Sequence, residues 1–370
     1  MKENTIVSRQ LALLLFLCTL GSAFIFVPVN AAGRNGWLSS LIGSLIFLFI
    51  LHLLISLQKM YPGVSILKIS KQSLGVTAGT VFNIIYLAVL FLVIVLSLYD
   101  FTQFLLLIFP RFSPLIIEAV IIFTFININY HGLTTLGRLN DFLAFPTLMF
   151  LVLSLLIPMF SLDWSNFLPL LTDWKPLFAG TLIAANWPFG EVIFLALLMP
   201  YVTDLKQNSR TLYYWYVIAA FLMFLRVIVV IGVYGPETSA LLRFPLYTVL
   251  RNVTLAGFQR IELFFFFLWF LLSGAIINGL FACLTIGLKE SLQLRNKSIL
   301  LFPLGLLVIV MLNYMFPNDI EMLKQETITA IFITLPVYIL YPTIIYVAAC
   351  LRVKKTPEKS PRPVSLNNSQ

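Results

Sequence analysis

Apolar runs long enough to cross a bilayer follow one another along nearly the whole chain, separated by short polar segments. A hydrocarbon core of about 30 Å takes roughly 20 helical residues, so each run is expected to be a transmembrane helix. Ten such spans are placed at about 10–29, 37–57, 78–108, 113–130, 142–161, 176–202, 212–234, 257–288, 298–316 and 327–351. Composition agrees: 60% of the 370 residues are hydrophobic and 11% are charged, too little polar surface for a soluble chain. The expected class is an all-α polytopic membrane protein. The first run has the basic flank of a signal peptide in Lys2 and Arg9. Its length and the spans behind it favour an uncleaved helix.

The net charge of +9 is a matter of topology before it is one of partners. With the N-terminus inside, sixteen of the 24 lysines and arginines fall in inner segments, six in outer ones, and Arg226 and Arg260 within spans. That asymmetry assigns both termini to the cytoplasm and removes the reason to invoke nucleic acid. Two connections are long enough to form interfacial helices: Pro62 to Gly75, carrying Lys68 and Lys71, and Glu237 to Gly257, carrying Arg243 and Arg251. Residues 1–351 are expected to form one permease-like domain and 352–370, rich in charge, Pro, Ser and Asn, a disordered cytoplasmic tail.

Within the sixth span stands Ala184-Ala185-Asn186-Trp187-Pro188-Phe189-Gly190-Glu191. Proline lacks a donor and glycine favours an opened backbone, while a carboxylate at membrane depth costs about 2.5 to 3.5 kcal/mol. A helix broken there marks a candidate site. The first span has its own weak point in Gly21-Ser22-Ala23 followed by Pro28. Five spans per half invert the second half relative to the first, giving a 5+5 inverted repeat, about 10–161 and 176–351, whose opening helices 1 and 6 are both interrupted.

Glu191 has two roles open to it. It can meet a substrate ammonium or a proton, with Asn186 and the Trp187 indole as neighbours, or it can lock the opened backbone of span one. An inner half-helix beginning at the break would stabilise its charge. Asp100, next to Tyr99, and Arg226 fall at similar depth, roughly 12 to 14 Å from the outer boundary, so an ion pair is feasible as an outer gate or as a static pair. Glu262 and Glu118 begin spans near the outer interface and are expected to reach water; Asn129 is expected at the inner interface. There is no phosphate-binding glycine loop, no metal-spaced cysteine set among Cys18, Cys283 and Cys350, and no evident catalytic partner for His52 or His131. No metal, cofactor or enzymatic chemistry is expected.

Ile6-Val7-Ser8-Arg9-Gln10, Gly21 with Pro28, Ala32-Gly33-Arg34-Asn35-Gly36-Trp37-Leu38 and Tyr61-Pro62-Gly63 resemble the opening of endospore germination permeases, the B subunits of spore germinant receptors. Pro188-Phe189-Gly190-Glu191 with Pro200, Phe244-Pro245 and Arg260-Ile261-Glu262 resemble that family's later landmarks, in order and spacing. The resemblance implies the LeuT-type fold of the amino acid, polyamine and organocation transporter superfamily. It further implies a germinant sensor in the spore inner membrane beside a larger membrane A subunit and a lipoprotein C subunit. The ligand class so implied is a small nutrient, an amino acid or a sugar. Family-like contacts would come from Gly21, Ser22 and Ala23, from Asn186, Trp187 and Gly190, and from Tyr99. Ser22-Ala23 stands where close transporter relatives often carry a further glycine, which bears on how far span one unwinds. The competing reading is a proton-coupled transporter of amino acids or amines, with the proton on Glu191 or Asp100.

Overall fold

Inside hydrocarbon every backbone N–H and C=O must find a partner within the chain, so apolar runs fold as helices. The computed structural model describes residues 5–21, 24, 28–170, 174–242, 244–252, 262–315 and 329–355, and among them there are helices and no sheet. In chain order these are α1 (Ser8–Leu20), α2 (Gly36–Met60), α3 (Ile66–Leu74), α4 (Val76–Ile108), α5 (Pro114–Tyr130), α6 (Leu133–Leu156) and α7 (Trp174–Asn186). The second half continues with α8 (Leu205–Asn208), α9 (Arg210–Leu241), α10 (Pro245–Asn252), α11 (Glu262–Ser291), α12 (Ser298–Met315) and α13 (Leu335–Lys355). Eight described helices are long and apolar enough to cross a membrane, and two shorter apolar ones, α1 and α5, occupy the places expected for spans one and four. The protein is therefore an integral, multi-pass membrane protein.

The most extensive helix pairings among the described residues are α1 with α9 and α2 with α7. An exchange of the two halves turns one pairing into the other, as an inverted repeat requires. Small residues set the α2–α7 distance. A Cβ on Gly43 would lie 2.9 Å from the Ala185 nitrogen, and one on Gly180 would lie 2.9 Å from Ser39 Oγ. Ser39 Oγ donates to the Leu177 carbonyl at 3.0 Å. Serine and glycine four apart on one helix facing glycine and alanine four apart on the other bring the two backbones together without a hydrophobic driving force.

Both expected interfacial segments contain helices. α3 starts at the Ser65 cap, whose hydroxyl accepts from Lys68 N at 3.3 Å, and it buries Ile66, Leu67 and Ile69. α10 buries Leu246, Val249 and Leu250 against the bundle; Arg243 and residues 253–260, Arg260 included, lie outside the described residues. The tail expected from 352 is described only to Lys355, within α13.

The segment before α1 is strapped to the end of span six. Ile6 N donates to Tyr201 O and Thr203 N to Ile6 O, both at 3.0 Å, and Ser8 N donates to Asp204 Oδ1 at 2.6 Å. Arg9 and Gln10 both reach Asp141, at 3.2 and 2.9 Å. Burial works to raise the Asp204 carboxyl, but hydrogen bonds from Asn208 and Ser8 outweigh it and hold the group below the usual carboxylate range. A carboxylate depressed in the folded chain stabilises above its unfolded value, about 3.9, and that contribution is lost as pH falls through the folded value. At neutral pH the strap is at full strength. Asp204→Asn should therefore speed hydrogen exchange at the Ser8 amide roughly three- to tenfold at neutral pH, below the range for a fully buried charged hydrogen bond because the carboxylate is partly wet. Unchanged exchange would show that Asp204 does not hold the strap.

Candidate functional site

Span six breaks where the sequence places the break. α7 ends at Asn186, Trp187 N makes a last bond to Ile183 O at 2.9 Å, and Pro188, joined by a cis peptide, has no donor to give. The inner half was expected as an α-helix with Glu191 at its start. It is instead a 3-10 helix, Phe189–Leu197, followed by a short turn, Met199–Tyr201, and Glu191 lies in the first turn of the former. Such helices rarely run beyond three or four residues. This one persists because all nine of its residues are buried, so surrounding helices hold it.

Close approaches crowd the break. A Cβ on Gly190 would lie 2.0 Å from the Tyr338 ring of α13, and one on Gly21 would lie 1.6 Å from Ile276 Cδ1 of α11. Each glycine lets a helix from the second half touch the opened backbone. α1 stops at Leu20, with Gly21 outside helical geometry, and packs on the 3-10 segment, so the two interruptions are neighbours. Ser22 and Ala23 lie outside the described residues. Glu191 is 4% exposed and stands near the Cys18 thiol of α1 and the Tyr338 phenol. Asn186 Oδ1 accepts a hydrogen bond from Thr334 Oγ1, in the π-helical turn Ala330–Thr334 that precedes α13. Trp187 is half-buried beside them. The arrangement is a buried carboxylate and an amide at a helix break, enclosed by aromatic and thiol groups.

The remaining sequence-selected residues lie on other helices. Tyr99 and Asp100 are buried on α4, where neighbouring Phe101 and Phe104 pack on Trp269 of α11. Arg226 is buried on α9, and α4 and α9 share no extended packing surface among the described residues. Glu262 opens α11, and its side chain lies outside the described residues. One expectation of solvent contact fails, and one buried bond was not foreseen. Glu118 is 1% exposed and accepts from Asn313 Nδ2 of α12 at 2.7 Å, and Asn129 is buried, donating to Asn278 Oδ1 of α11 at 2.6 Å. Glu118 sits about one turn from the start of α5 and Asn129 beside its last residue, and at both places partner helices cover a polar side chain that would be costly without a bond.

Sequence reasoning missed the tyrosine of span three that meets the opened helix. Tyr86 Oη donates to the Ile193 carbonyl at 2.9 Å, in the 3-10 segment, whereas Tyr99 lies roughly 20 Å farther along α4 at 1.5 Å per residue. The Tyr86 ring stacks on Tyr341 of α13 with centroids 4.3 Å apart. Tyr341 Oη donates to Asn83 Oδ1 at 2.8 Å, and Asn83 Nδ2 donates to Leu67 O of α3 at 2.9 Å. One buried network thus joins the interrupted span to α4, α13 and the interfacial α3. The available signal was Asn83 and Tyr86, three apart and so on one face of an otherwise apolar run.

Residues 5–320 match the family described as "Spore germination protein". Three curated relatives come from Bacillus subtilis (strain 168). Spore germination protein KB is 26% identical over 97% of this chain and 98% of its own length; Spore germination protein A2 is 23% identical over 91% and 93%. Putative spore germination protein YfkT is 25% identical over 86% and 88%. Among solved structures, MhsT in complex with L-phenylalanine aligns with TM-score 0.68 and 14% identity over 95% of this chain and 99% of that one. A substrate-bound, outward-open Na+-coupled sialic acid symporter aligns with TM-score 0.67 and 11% identity over 95% and 90%. The fold is that of the LeuT-type transporters, and family and fold are those of permeases and transporters, which are not enzymes.

The Tyr86 bond gives a direct check. Tyr86→Phe keeps the stacked ring but leaves the Ile193 carbonyl without its donor, at an expected cost of about 1 to 3 kcal/mol. The thermal midpoint of the purified chain should fall accordingly. A midpoint equal to that of the parent chain would mean the carbonyl needs no support from α4.

Proposed function

The chain belongs to the spore germination protein family, and from that premise we propose that it is the nutrient-sensing subunit of a germinant receptor in the spore inner membrane, with both termini cytoplasmic. A small nutrient, an amino acid or a sugar, binds between interrupted spans one and six, against Gly21, Ser22 and Ala23 on one side and Asn186, Trp187, Gly190 and Glu191 on the other. Glu191 meets the ligand's polar or ammonium group and Tyr99 of span three contributes a further contact, while Asp100, Arg226 and Glu262 act as gating or structural charges. Binding favours one arrangement of the two halves, and a larger A subunit and a lipoprotein C subunit receive the change. The ligand must bind the two arrangements with different free energies for this to work.

The observation that carries this reading is the buried Glu191 at the break of span six, packed beside the end of α1. An intramembrane carboxylate is costly to keep, and a helix break supplies unpaired backbone groups that can bind. A second reading, a proton-coupled transporter of amino acids or amines, is favoured by one finding: the aligned solved structures include a symporter. Spores lacking this chain, and spores restored with it, separate sensing from no role when each is challenged with a panel of nutrients. Reconstitution with labelled nutrient separates sensing from transport, since accumulation against a gradient would sink the pure-sensor reading.

Glu191→Gln keeps the shape and removes the charge. At normal abundance in the membrane it should shift the nutrient concentration needed for half-maximal germination upward at least tenfold, about 1.4 kcal/mol. A parental dose response would remove Glu191 from the ligand site.

A further inference from the structure

Away from the helix breaks, on the face that carries Lys206 and Arg210, the structure holds a cavity of about 580 Å³. α3 contributes Lys68 and Lys71 to its wall, the end of α11 contributes Lys289, Glu290 and Gln293, and Tyr201 closes it from span six. Three ammonium groups therefore face one carboxylate. That carboxylate is already engaged, because Glu290 accepts a hydrogen bond from the Ser65 hydroxyl at the cap of α3. None of the three lysines has an ion pair among the described residues. Just beyond α11, Lys297 Nζ is buried without a hydrogen-bond partner, and burial together with the charge of Lys289 holds it down at about 8. The region is short of negative charge.

Gln293 adds an independent observation. It takes φ of +53°, in the left-handed region. It does so at the C-terminal cap of α11, where Leu294 N bonds Lys289 O at 2.9 Å and Gln293 N bonds Glu290 O at 3.2 Å. Glycine ordinarily fills that position because it adopts the conformation without strain. Here a side chain with an amide donor is held there, in the wall of the cationic cavity. Strain retained beside a pocket points to use of the side chain.

We propose that this cavity binds a phosphate group, that of an anionic phospholipid headgroup, between α3 and the end of α11. Lysines act on phosphate as mobile point charges, and the Gln293 amide supplies a directional donor. The lipid source follows from place. Basic pockets between transmembrane helices at the cation-rich face suit phospholipid headgroups, and exposed Leu292, between the lining residues Ser291 and Gln293, offers apolar surface for an acyl chain. Free phosphate shares the headgroup's chemistry, and the experiment distinguishes the two. An occupant would bear on α3, and through Asn83, Tyr341 and Tyr86 on the opened backbone at Ile193.

The test uses the full chain in nanodiscs of phosphatidylcholine, with and without phosphatidylglycerol, read by thermal midpoint and by native mass spectrometry of retained lipid. Phosphatidylglycerol should raise the midpoint and remain bound. The triple variant Lys68→Gln, Lys71→Gln, Lys289→Gln should retain at least tenfold less of it, while Lys206→Gln with Arg210→Gln, on the same face outside the cavity, should retain it normally. Equal retention in the triple variant, or equal loss in the control, would overturn the site. If millimolar inorganic phosphate stabilises the parent chain in neutral discs and displaces phosphatidylglycerol from the mixed discs, the phosphate site stands and its source is free phosphate. Gln293→Gly covers the case of a misfolded triple variant, since it relieves backbone strain. Its midpoint in neutral discs should not fall and its lipid retention should drop about threefold; parental retention by a folded Gln293→Gly would overturn the proposal.

Discussion

The backbone of span six cannot satisfy itself where it is interrupted, and much of the surrounding structure answers that deficit. Pro188 removes a donor, and the following residues wind as a 3-10 helix whose bonds are weaker than those of an α-helix. In water such a segment would fray. Here every residue of Phe189–Leu197 is buried, and the Ile193 carbonyl takes a phenol from α4. Low dielectric makes each unpaired group expensive, so the helices that pack on the break also hold it open in one conformation.

Glycine placement follows from the same constraint. Gly190 and Gly21 lie where a side chain from α13 or α11 occupies the space a Cβ would need, and Gly43 lies where α2 meets the end of α7. Helices that must support an opened backbone have to come closer than leucine-lined surfaces allow. The packing is asymmetric, although the halves are inverted copies in outline. Ile276 fills the gap at span one, while an aromatic ring does so at span six. That difference leaves the span-six side with Tyr338, Thr334 and Asn186 as polar groups, and it is the side that carries Glu191.

The class, the order of spans and the break itself were legible because they rest on composition and on residues that change backbone chemistry: long apolar runs, Pro188, Gly190 and a carboxylate in hydrocarbon. Helicity beyond the break was not legible, since the choice between α and 3-10 depends on what packs against Phe189–Leu197. Nor was the polar network. Asn83 and Tyr86 mark one face of an apolar run, but Tyr341 lies far away in sequence, and only the pairing of α4 with α13 shows that the three meet. The burial of Glu118 and the Asn129–Asn278 bond were missed for a related reason. Depth counted along a helix says how far a group lies from water in a bare bilayer, but Asn313 and Asn278 come from other helices that cover them.

The two ends of span six are tied differently, and this bears on how a site at the break communicates. On the α7 side of the break Asn186 is bonded to Thr334, in the turn that precedes α13. At the far end Tyr201 and Thr203 are bonded to Ile6, so the 3-10 segment ends against the strand-like start of span one. A movement of α1 relative to the 3-10 segment acts on the second tie directly, because that tie joins the residue just before α1 to the end of span six. The third tie, Tyr86 to Ile193, leads through Tyr341 and Asn83 to α3, which lies outside the central pair of spans. A change at the break that lengthens the Tyr86 bond must either leave the Ile193 carbonyl unpaired or carry α4 with it. The first alternative is penalised by burial, so displacement of the interrupted helix is coupled to the elements at the cation-rich face by the cost of a lost hydrogen bond.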